Sequence, residues 1–136
     1  LSAYSDPSIR AVLALDAWVK PLGNEVDTPA DIPQLHLGSA AWNDDENEPF
    51  INRVLAGSTQ ATALRLAGTR HEDYAMTLQI TPASRMLGMS GGIEQNNLRQ
   101  ALRTAADWLA SILYMDEGKA ADALGRTQKL SAYMEH

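Results

Sequence analysis

The 136-residue chain contains no cysteine. A disulfide scaffold, Cys-ligated zinc and thiol nucleophiles are thereby excluded, while the choice between cytosol and periplasm stays open. No apolar run approaches the ~20 residues that span a bilayer, and no charged-then-apolar leader opens the chain at Leu1. The cytoplasm is favoured, with a periplasmic or secreted location after signal removal as the alternative. Positive charge is also scarce, since 11 Lys and Arg stand against 17 Asp and Glu for a net charge of −6. That sign opposes a phosphate-tracking surface, so nucleic acid is not an expected partner. It suits a basic protein partner instead.

What is present is globular: 45% hydrophobic and 21% charged residues. The length predicts one domain over residues 1–136, large enough to fold without staples. A processed chain or a segment of a longer protein is the alternative reading.

Asp6-Pro7 offers a cap and a proline suited to a first helical turn, so Ser8 to Val19, with Ile9, Val12, Leu13, Leu15, Trp18 and Val19, is predicted to be a buried helix. Pro21 and Gly23 end it. Residues 24–47 are rich in turn formers, with a short strand at Gln34 to Leu37. Glu48-Pro49-Phe50 begins a second helix. Beyond Gly57, the alternation of Leu64 and Leu66, then of Met76, Leu78 and Ile80, predicts an antiparallel hairpin over residues 62–81 turning at Gly68 to Asp73. Ile93 to Met115 carries Leu98, Ala101, Leu102, Ala105, Leu109, Ile112 and Leu113 at amphipathic spacing. Gly118 caps that helix, and Lys119 to Met134 repeats the pattern more weakly. The predicted fold is α+β, a small antiparallel sheet packed by helices with two C-terminal helices. An all-α bundle is the alternative, if Thr59 to Ala67 is helical. Trp18, Trp108, Tyr114 and Tyr133 fall on the helices, where core packing is the default.

Gly88-Met89-Ser90-Gly91-Gly92 spells G-x-S-x-G, but Pro82 to Leu87 intervenes where a nucleophile elbow needs its strand. The same residues, Gly88, Ser90, Gly91 and Gly92, could aim backbone N–H groups at an anion or small ligand from the start of the long helix. A plain helix joint without ligand is the commoner meaning of such glycines, since every helix has such an end.

Trp42, Asp44, Asp45, Glu46 and Glu48 form an acidic loop with an aromatic, the composition of a partner-binding surface. The acids lack the glycine and distal glutamate of a calcium loop, so no metal is expected there. His71 stands beside Glu72 and Asp73, where carboxylates favour acid–base chemistry, although a solvated turn accounts for the same letters. Three scattered histidines, His36, His71 and His136, make no zinc motif. Arg99 and Arg103 share a helix face.

No catalytic set and no cofactor is predicted. The leading expectation is a non-catalytic protein-interaction domain, an adaptor, inhibitor or immunity-type binder with an acidic face. A small enzyme or ligand-binding domain at Gly88 to Gly92, with His71 or Ser90 as the chemical group, is the second expectation. A subunit or segment of a larger assembly is the third.

Overall fold

The computed structural model describes residues 6–40, 46–75 and 82–133. Strand β1 spans Val12–Leu15, a 3-10 segment Lys20–Asp27, β2 Gln34–Ser39, helix α1 Glu48–Ala56, β3 Ala61–Leu66 and α2 His71–Tyr74. A 3-10 turn at Pro82–Ser84 leads to α3, Gln95–Leu113, and α4, Glu117–Tyr133.

The three strands form one sheet in the order β1-β2-β3. Both pairings are parallel, with Leu13 opposite Leu35 and Leu37 opposite Leu64. The predicted antiparallel hairpin is therefore wrong. Alternation identified β3 but not its neighbour: β3 pairs with β2, and α1 supplies the crossover that parallel strands require. The proposed second hairpin strand fails at its start, where Tyr74 ends α2, and residues 76–81 lie outside the described residues. The all-α alternative falls with it, because Ala61–Leu66 is extended.

The first predicted helix is also replaced by β1. Strands of parallel sheets read as near-continuous apolar runs, and Val12-Leu13-Ala14-Leu15 is one. Asp6 does not cap a helix. Its side chain accepts from the Ser8 N–H and hydroxyl in a local turn.

Helices cover both faces of the sheet. Leu35 and Leu37 of β2 pack against Ala105 and Trp108 of α3 and Ala120 and Ala123 of α4. The opposite face, with Ala14, His36 and Ala63, lies under Ile51 and Leu55 of α1. In α3 the buried stripe is Leu98, Ala101, Thr104, Ala105, Trp108 and Ser111, so Leu102 is half-buried and Leu113 faces outward. Small residues here let α4 approach closely enough for the Thr127 hydroxyl to donate to Thr104 Oγ1 at 2.9 Å. Gly118 is not the cap: it lies inside α4, and Met115, at φ 59°, makes the turn between the helices. Trp108 is buried as expected, whereas Trp18 and Tyr114 are exposed.

Candidate active site

In a parallel sheet the chain leaves every strand at the same edge, so residues just beyond β1, β2 and β3 converge there. Asp16 follows β1 directly. Its backbone is left-handed at φ 47°, a conformation that Asp tolerates better than most residues. The Asp16 N–H donates to the Leu37 carbonyl at 2.7 Å, holding the turn against β2. The side chain, only 4% exposed, needs hydrogen bonds to remain buried as a carboxylate. Oδ1 accepts the Ser39 N–H from the end of β2 at 2.7 Å. Oδ2 lies 3.0 Å from Nδ1 of His71.

His71 opens α2, five residues past the end of β3. Gly68, at φ 70°, makes the turn that brings the chain back over the strand ends. With a carboxylate at Nδ1, that nitrogen carries the hydrogen in the neutral ring, and Nε2 on the far side holds the lone pair. The His71 side chain is 55% exposed, so the pair joins a buried acid to an imidazole open to solvent. The arrangement can take a proton from a hydroxyl and return it.

Several contacts brace this turn. The Tyr74 hydroxyl donates to the Gly38 carbonyl at 3.0 Å, and burial pushes its pKa well above the usual phenol value, keeping it protonated. The Gly68 carbonyl accepts the Ile93 N–H at 2.9 Å, and Arg70 donates to the Gly88 carbonyl at 2.6 Å. Asp73, fully buried, accepts the N–H groups of Arg70 and Gly91.

Beside Asp16, between the sheet and α1, lies a cavity of about 190 Å³ lined by Ala14, His36, Ile51 and Leu55 among others. His36 is buried with Nε2 3.1 Å from Gln34 Oε1, and desolvation lowers its pKa.

Of the residues singled out in the sequence, His71 enters this site, but its carboxylate partner is Asp16, 55 residues away, rather than Glu72 or Asp73. Asp16 was missed altogether. Its signal is present: an acid placed directly after the apolar run Ala11 to Leu15, where a strand of a parallel sheet delivers its functional residue. Gly88, Ser90, Gly91 and Gly92 lie next to the turn. Gly91 already donates its N–H to Asp73, and the Ser90 hydroxyl is buried 2.7 Å from that of Ser84. Trp42, Asp44 and Asp45 lie outside the described residues. Glu46 pairs with Lys20 and Glu48 with Arg65, and Glu48 also lines the cavity beside Asp16. Among the described residues no three His, Asp or Glu side chains gather closely enough to hold a metal ion, and no helix is long and apolar enough to cross a membrane.

A search of the curated proteins finds no match. Residues 1–120 do match a family model, that of platelet-activating factor acetylhydrolase, isoform II. The match overturns the expectation of a non-catalytic protein-interaction domain and supports the second expectation, of an enzyme. Because the matched region takes in β1 to β3 with Asp16 and His71, and all but the last sixteen residues, the chain belongs to the platelet-activating factor acetylhydrolase isoform II family.

Proposed function

We propose that Asp16 and His71 are the acid and the general base of an ester hydrolase that removes an acetyl group. The observation that carries this reading is the 3.0 Å contact between a buried carboxylate and Nδ1 of an exposed imidazole, at the C-terminal edge of a parallel sheet. The acetylhydrolase name of the family supplies the acyl group. In this reading, His71 Nε2 takes the proton of a nucleophilic hydroxyl as that oxygen attacks the ester carbonyl. The imidazolium gives the proton to the departing alcohol, leaving an acetylated hydroxyl. Water then attacks with His71 again as base, releasing acetate and restoring the hydroxyl. Asp16 fixes the tautomer and stabilises the transient cation.

The hydroxyl is assigned to a residue N-terminal to Asp16, following the order nucleophile, acid, histidine of α/β hydrolases. Three of the serines C-terminal to Asp16 are already engaged, Ser84 and Ser90 with each other and Ser111 with the Asp107 carbonyl.

The test is hydrolysis of p-nitrophenyl acetate by the full polypeptide. Asp16→Asn is expected to lower kcat by about 10⁴-fold with a folded circular dichroism spectrum, because the wrong tautomer is favoured. A kcat within about twofold of wild type would exclude Asp16 from the reaction.

A further inference from the structure

The most buried charge near the site is not Asp16 but Asp73, which is fully inaccessible. Neither step of the proposed reaction uses it. Its Oδ2 accepts the Arg70 N–H at 2.8 Å, closing the first turn of the helix that begins at His71. The same oxygen accepts the Gly91 N–H at 3.0 Å, from a segment on the other side of the turn. Gly91 presses against that turn so closely that an added Cβ would lie 2.0 Å from the Gly68 carbonyl oxygen. The Ile93 N–H, two residues on, donates to that same carbonyl. A four-residue helix has little stability of its own, so these ties fix where it sits.

We propose that Asp73 is a positioning residue, which latches the His71 turn onto the Gly91–Ile93 segment and so holds the imidazole at Asp16. This rests on the reading of Asp16 and His71 as the acid–base pair. Gly91 then has a role that is neither an anion site nor a nucleophile elbow: it allows the backbone to approach the turn, whereas a Cβ on Gly88 or Gly92 would meet nothing within 4 Å.

Three variants of the full polypeptide test it, using p-nitrophenyl acetate kinetics and the low-field imidazole N–H resonance assigned by its loss in His71→Asn. Asp73→Ala should lower kcat by about 100-fold, the cost of roughly 1 Å of misplacement, with little change in KM. The His71 resonance should broaden or vanish. Asp73→Asn, which keeps an oxygen for both N–H groups, should restore the resonance and most of kcat. Gly91→Ala should reproduce the Asp73→Ala loss, and it carries the test if Asp73→Ala fails to fold. Wild-type kcat together with an intact resonance in Asp73→Ala or Gly91→Ala overturns the proposal. The resonance reports on the latch even if His71→Asn retains full activity, an outcome that would refute the acid–base reading instead.

Discussion

Asp16 combines two unfavourable features, a carboxylate withdrawn from water and a non-glycine residue at positive φ. Sites of this kind persist where the surroundings over-determine them, and here three hydrogen-bonding partners do so: Leu37, Ser39 and His71. His36 is a second buried group with a consequence, this time for stability. Once unfolded, its imidazole protonates near its ordinary value of 6.5, whereas burial holds the folded form neutral to lower pH. The unfolded chain thus gains the proton first, so the contribution of His36 is complete above pH 6.5 and declines as pH falls through that value. Urea denaturation should show wild type losing stability between pH 6.5 and its lowered folded value, with a shallower decline in His36→Gln. Parallel declines would mean that His36 is not the group responsible. Residue chemistry was partly legible in the sequence. His71 stood out because of its acidic neighbours, yet the carboxylate that meets it is brought from another strand, and no local pattern shows that.

Among the elements, the two C-terminal helices were legible because three-and-four spacing marks an amphipathic helix, although the buried face of α3 runs through Thr104, Trp108 and Ser111 rather than Leu102 and Leu113. The boundary failed where tertiary packing decided it: Met115 rather than Gly118 makes the turn. Strands were harder. An apolar run such as Val12 to Leu15 fits a buried helix and a doubly covered strand equally, and the alternation in β3 says nothing of direction. The parallel sheet follows from α1 lying between β2 and β3, a connection that the hairpin reading overlooked. The α3 stripe yields its own expectation. Leu98, fully buried, should cost about 2–5 kcal/mol on truncation to alanine. Leu113→Ala, at an exposed position, should fall within about 0.5 kcal/mol of wild type. Urea denaturation midpoints of the two variants check the difference, and equal values would refute the assigned helix face.

At the scale of the molecule, the sheet is what turns distant letters into a site. Parallel strands discharge at one edge, so the acid after β1 and the histidine after β3 meet across the end of β2. Net charge, the most visible global feature of the sequence, pointed toward binding; topology, the least visible, brings Asp16 and His71 together. The central claim is that His71 activates a hydroxyl lying N-terminal to Asp16. Treating the full polypeptide with a fluorophosphonate and mapping the adduct by mass spectrometry tests it most directly. The expected result is one labelled hydroxyl N-terminal to Asp16, with labelling abolished in His71→Ala. A label on Ser90, or labelling that persists in His71→Ala, would contradict it.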